Sequence, residues 1–304
     1  MLSPKDFVSD PAAMGRTWPM GDSLAYTRWI ATGHYENFHV VSFLLPKHLH
    51  QDFYNVYAFC RWADDLGDEI GDTSESLRLL RWWREELDRM YSGKATHPVF
   101  VALLPTVLKH GLPVTPFANL ITAFEHDQVV TRYANWDEVF AYCVNSANPV
   151  GRLVLGLGGY TDAQRYELSD ATCTALQLAN FWQDVSVDLQ KDRVYLPLDL
   201  LARHGVPIED VYNRRFTPAF ASAMREACAV ARELFVKGCA LPPLLDRRLA
   251  LDVTLFSRGG MYILDKIEKQ GFDVLTARPT ISKSERVRLL LRALVSFAVQ
   301  RAAA

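Results

Sequence analysis

The feature that most limits how this chain can fold is the spacing of its apolar residues. They recur at intervals of three and four along roughly ten segments, and no clear run of strict alternation appears. The breaks between segments are short, at 71–73, 92–97, 111–116 and 158–161, with a longer one at 191–207. Several carry helix-start chemistry, such as Thr161 and Asp162 ahead of AQRYEL. No linker rich in proline, glycine or serine divides the chain, and no short-period repeat is visible. The expectation is an all-α fold, one domain over 1–304 with an irregular N-terminal segment over 1–22. At 304 residues and 49% hydrophobic, the chain has material for a substantial core.

Charge narrows the partners. Thirty-three basic and thirty-five acidic residues leave a formal net charge of −2, so no global field favours nucleic acid. No uncharged apolar run of about 18 residues spans a bilayer, and the first residues are too polar for a secretory signal. Five scattered cysteines form no CxxC pair and read as free thiols of a reducing compartment, which places the protein in a cytoplasm. The last stretch, SERVRLLLRALVSFAVQR (284–301), carries arginines beside a broad apolar face. It suits closure of the core, the favoured role, or peripheral docking at the inner face of the cell membrane to pass on a lipid product.

One helix is unusual. In NFWQDVSVD (180–188), with Asn180 as origin, Asp184 falls at about 40°, Asp188 at about 80° and Gln177 at about 60° on a helical wheel. A solvated polar face is the common meaning of such a stripe. This one holds no lysine, arginine or glutamate and is interleaved with Cys173, Leu176 and Val187, which suits the wall of a cavity. A second strip lies in YNVYAFCRWADDLGDE (54–69), where Asp68, Arg61, Tyr57 and Tyr54 share the side of Asp64. Its acids crowd a helix C-terminus, where the helix dipole disfavours them. Arg61 there is read equally well as a salt bridge to Asp64 or Asp68.

Carboxylates gathered on apolar backgrounds repel one another unless a cation compensates. Magnesium accepts carboxylate and water oxygens and bridges readily to phosphate, so two strips can hold several ions and clamp a diphosphate. Departure of diphosphate from an allylic or cyclopropyl carbon leaves a carbocation, which calls for a dry cavity with aromatic faces. Zinc is disfavoured, since the only histidine or cysteine near either acid face is Cys173. Lys191, Arg193 and Tyr195 directly follow the second strip, as diphosphate contacts or as a solvated turn.

With YAFCRWADDLGDE (57–69), YCVNSANPVGRLVL (142–155), LQLANFWQDVSVDLQKDRVYLP (176–197) and ILDKIEKQGFDVLTARP (263–279), the chain resembles the squalene/phytoene synthase family from about Tyr26 to Arg278. The resemblance implies an isoprenoid-synthase helical bundle around a central cavity. It implies several magnesium ions held by Asp64, Asp68, Asp184 and Asp188, with Asn180 assisting, and a catalytic Tyr142 in the cavity. Arg61, Gln177, Gln183, Lys191, Arg193 and Tyr195 fall near the diphosphate or the flap over it.

Departures from the common pattern are informative: HYENF at 34–38, SANPVG at 146–151, Gln183 where an arginine is frequent, and Gly260 where a tyrosine is frequent. Together they resemble the hydroxysqualene synthase branch, which ionises presqualene diphosphate and lets water capture the cation, without NADPH. His34, Tyr35 and Asn148 are candidates to direct that water, His34 equally a structural hydrogen-bonder. The alternatives are a head-to-head condensing enzyme, and a non-catalytic scaffold, which intact carboxylates disfavour. An isoprenoid diphosphate is the expected substrate, with hand-off to neighbouring squalene-pathway enzymes.

Overall fold

The computed structural model describes residues 1–33, 46–282, 284, 285 and 288. His34 and Tyr35 lie outside the described residues, as does nearly all of 284–301. Among the described residues the structure is helical without a strand; the only β pairing is an isolated parallel bridge between Arg132 and Val194. The helices of ten residues or more are α1 (Met20–Gly33), α2 (His50–Asp68), α3 (Thr73–Tyr91), α4 (Pro98–His110), α5 (Val114–Asp127), α6 (Trp136–Ser146), α7 (Asn148–Leu157), α8 (Ala163–Asp188), α9 (Pro218–Gly238) and α10 (Arg247–Lys269). The all-α expectation holds; breaks fall near 71–73, 92–97, 111–113 and 158–161 as expected, whereas the expected 191–207 break contains a short helix at Leu198–Arg203 and a further break lies between Asp127 and Trp136.

Local chemistry sets these boundaries. Asp72, Asn135, Thr217 and Asp246 each accept a backbone N–H of the first turn of α3, α6, α9 and α10. Gly111 ends α4 at φ +61°, a left-handed conformation that costs glycine nothing. The segment expected to be irregular at 1–22 is more ordered than that. Pro4–Val8 and Pro11–Met14 form short helices capped by the side chains of Ser3 and Asp10, with a proline in each first turn. Four- and five-residue helices are too short to show periodicity, so only their caps could have revealed them.

The described chain groups into two compact units. The first comprises Met1–Val129 and Pro149–Asp162; the second comprises Val130–Asn148 and Ala163 onward. In the first unit α2 is the central element. Its Phe59 and Trp62 are fully buried among Trp83, Phe100 and Phe117, with Trp62 and Trp83 stacked 4.9 Å apart at 7°. His97 sits inside this aromatic cluster, where burial drives its pKa well below the usual range and keeps the ring neutral. Leu153 and Leu157 of α7 belong to the same core.

In the second unit α8 packs on α9 and α10. The indole of Trp182 donates to the carbonyl of Ala227 at 3.2 Å, fixing the buried side of α8 against α9. Glycine allows the close approach of α10: a Cβ on Gly260 would lie 2.4 Å from Cζ of Phe235 and 3.0 Å from Leu176. Burying Leu178, Trp182 and Val185 turns the opposite, polar side of α8 outward from that helix contact.

Candidate active site

The first acidic strip occupies the last two turns of α2. Asp64 is part-exposed and Asp68 exposed, four residues apart on one side of the helix. Arg61 donates to Asp64 at 2.9 Å and lies 2.6 Å from Asp65, the latter off the hydrogen-bonding direction. Of the two acids the salt-bridge reading of Arg61 offered, Asp64 is a partner. Asp65 also lies beside the guanidinium, because Asp65 turns inward. Its carboxyl is buried, and desolvation raises its pKa to about 6 against the opposing pull of Arg61. Tyr57 lies near the same charges, and burial is the main cause of its raised pKa.

The second strip occupies the end of α8. Gln177 and Asp184 are part-buried, Asn180 is exposed and Asp188 is part-buried, on successive turns. Asp184 is occupied by a residue that the sequence reading left unassigned: the guanidinium Nε of Arg278 donates to its Oδ1. Beside it, the Gln183 amide donates to the Pro279 carbonyl at 2.7 Å. Residues 278–279, beyond the end of α10, are therefore fastened to the second strip by two side chains. The Arg-Pro pair was visible in ILDKIEKQGFDVLTARP, but only tertiary structure could connect it with Asp184.

Past Asp188 the chain makes a 3-10 turn, and Asp192 takes φ +56°. The segment is then strapped to 131–134: Val194 N–H donates to Thr131, Leu198 to Tyr133 and Asp199 to Ala134. Arg132 closes the strap on the carbonyl and carboxylate of Asp192. Lys191 is exposed and Arg193 part-buried at the start of this strap. Tyr195 does not sit on the surface with them. It is buried, stacked on Phe181 at 3.7 Å and 5°, in a cluster with Tyr133 and Tyr142. Tyr142, expected to be central, is buried in that cluster. Asn148 is buried as well, and its side-chain oxygen accepts from Thr174 of α8 at 2.9 Å.

The donor set is all oxygen. Among the described residues no three His, Cys, Asp or Glu side chains gather as a ready-made metal cage. Each strip instead presents two carboxylates four residues apart. That fits magnesium, which is bound through one or two carboxylates and completes its shell with water and substrate phosphates.

An all-helical protein with two such aspartate strips, each carrying a guanidinium on its first carboxylate, belongs to the class that handles prenyl diphosphates. The squalene/phytoene synthase family model matches residues 31–285, and the chain is a member of that family, whose enzymes act on isoprenoid diphosphates. Among its relatives, a phytoene synthase of Thermus thermophilus is 32% identical over 290 residues, covering 94% of this chain and 95% of the relative. A hydroxysqualene synthase of Rhodopseudomonas palustris is 34% identical over 272 residues, covering 88% and 90%. The crystal structure of squalene synthase HpnC from Alicyclobacillus acidocaldarius superposes with a TM-score of 0.80 at 42% identity, covering 88% of this chain and 98% of that one. The family accounts for the all-α fold; its members differ in product. Among the described residues no helix is long and apolar enough to cross a membrane.

Proposed function

We propose that this protein ionises presqualene diphosphate with the help of magnesium and lets water capture the rearranged cation, releasing hydroxysqualene and diphosphate. The observation that carries the reading is the charge at the second strip. Gln183 is neutral and spends its amide on Pro279, so Arg278 is the guanidinium seated on that strip. One diphosphate needs less positive charge than the two that a condensing enzyme must hold. Gly260 supports the same reading, because its contact with Phe235 and Leu176 leaves no room for a phenol. The 34% identity with a hydroxysqualene synthase is consistent with it.

Bound magnesium would neutralise the charge that builds on the departing diphosphate. Asp64, Asp68, Asp184 and Asp188 would hold the ions, with Asn180 as a neutral oxygen donor. Arg61 and Arg278 are placed to exchange a carboxylate for a diphosphate oxygen, both being charge-assisted donors. The stacked rings of Phe181 and Tyr195, with Tyr142 tilted against them, would supply negative ring potential for a carbocation and keep bulk water away. Hand-off of the product to neighbouring squalene-pathway enzymes, and peripheral contact with a membrane, belong to the same proposal.

A second reading has one observation in its favour: the 32% identity with a phytoene synthase extends over 94% of the chain. Purified protein incubated separately with presqualene diphosphate and farnesyl diphosphate, in heavy-oxygen water with and without NADPH, separates the two. The expected product from presqualene diphosphate is a C30 alcohol with one labelled oxygen and no NADPH consumed. A hydrocarbon formed with NADPH oxidation, or turnover of farnesyl diphosphate alone, would overturn the assignment.

A further inference from the structure

The turn that follows the second strip places an acid between two bases. Lys191, Asp192 and Arg193 are consecutive, and the turn folds back on the strip itself: the Arg193 N–H donates to the Asp188 carbonyl at 3.0 Å. A diphosphate held at Asp184 and Asp188 would therefore have Lys191 and Arg193 as its neighbours. Asp192 stands in the same place with the wrong charge for that ligand. Its side chain is 73% exposed, so burial does not screen its carboxylate from an approaching anion. Its backbone takes φ +56°, a left-handed conformation that aspartate and asparagine enter more readily than other residues with a side chain.

What Asp192 meets is Arg132, from the other side of the strap. One guanidinium nitrogen of Arg132 donates to the carbonyls of Asp192 and Thr131, and the other to the Asp192 carboxylate at 2.5 Å. The guanidinium is itself seated over the ring of Tyr212, 4.9 Å from its centroid. Two charge-assisted contacts on one residue fix both its backbone and its acid. With that guanidinium gone, the carboxylate would turn to its chain neighbours Lys191 and Arg193 and would repel a diphosphate. We infer that Arg132 is a positioning residue: it holds the Asp192 carboxylate aside, so that Lys191 and Arg193 serve the diphosphate instead of the acid between them. This rests on the function proposed above, in its placing of the diphosphate at the second strip. Arg132 acts through Asp192 and takes no part in bond breaking. The strap does not depend on its side chain alone, because the amides of Val194, Leu198 and Asp199 donate to the carbonyls of 131, 133 and 134.

The test compares wild type, Arg132→Gln, Asp192→Asn and the double variant. It measures calorimetric binding of inorganic diphosphate with magnesium, KM and kcat for presqualene diphosphate, and Tm. Arg132→Gln is expected to weaken diphosphate binding and raise KM about fivefold, with kcat within about twofold of wild type. Asparagine keeps the left-handed backbone without the charge, so Asp192→Asn should bind within about twofold of wild type. The double variant should recover to that same level, because the carboxylate that Arg132 restrains is gone. A double variant as weak as Arg132→Gln would overturn the assignment, and so would unchanged binding in Arg132→Gln. An Arg132→Gln chain that does not fold would overturn it too, making Arg132 a structural residue. If the wild type binds no magnesium diphosphate, the proposed site fails first, and this inference with it. If the wild type binds it and makes the alcohol but the rescue is absent, only the role of Arg132 is wrong.

Discussion

Replacing Asp252 by Asn should stabilise the protein, and by an amount that depends on pH. In the folded chain burial, with Asp246 adding to it, raises this carboxyl from 3.8 to about 7. The folded state therefore holds the proton more tightly than the unfolded one. The stability associated with the neutral acid is complete below the unfolded value and is lost as pH rises towards the folded one. At 1.36 kcal/mol per pH unit, the penalty in the wild type is about 1.6 kcal/mol at pH 5 and about 4 kcal/mol above pH 7. Asparagine has the same shape and no charge to desolvate, so it escapes the penalty while still lacking partners. The advantage of the variant should grow by about 2–3 kcal/mol between pH 5 and pH 8, less whatever a bound water recovers. In thermal melts followed by circular dichroism, that is a gap in Tm wider by about 3–5 °C at pH 8 than at pH 5. Asp65, also raised to about 6, is common to both proteins and cancels in the comparison. A gap that is constant across pH would refute the reasoning, because it would mean that Asp252 is ionised and compensated throughout.

Two further outcomes are expected. Asp64→Asn or Asp184→Asn should abolish turnover at limiting magnesium and leave the Tm within about 2 °C, since Asp64 is part-exposed and loses only a surface pair worth about 1 kcal/mol or less; normal turnover would remove the aspartates from the proposed site. Gly260→Ala should cost about 1–3 kcal/mol by forcing α10 away from Phe235, read as a fall in Tm; an unchanged melt would show that the contact is relaxed at no cost.

Much of the fold could be read from spacing alone, because helices of ten to twenty-six residues repeat their apolar pattern often enough to stand out. Pro4–Val8 and Pro11–Met14 could not, being shorter than two turns. The acidic residues of the two strips were legible for the same periodic reason: four residues apart on a helix is one side. What periodicity cannot carry is the partner on another element. Arg278 reaches Asp184 across ninety-four positions, and Arg132 reaches Asp192 across sixty. Asp65 falls about 100° from Asp64 on the helical wheel, off the shared acidic side, yet it lies near enough to Arg61 to compete for it. Tyr195 looked like part of a charged turn and is buried, because stacking on Phe181 outweighs the polarity of its neighbours. Asp252 sits in an apolar run that a core helix would also use, so only its missing partners distinguish it.

The first unit is not a contiguous stretch of chain: α7 enters its core only after α6 has been laid down elsewhere. During synthesis from the N-terminus, residues 1–129 must therefore wait, with Leu153 and Leu157 still unmade, before the walls around α2 can close. A fragment cut at Val129 would keep Asp64 and Asp68 and lose the residues that seal the helix bearing them. Nascent chains stalled before and after 157 should accordingly differ in protease resistance, with the first acidic strip gaining protection only in the longer one.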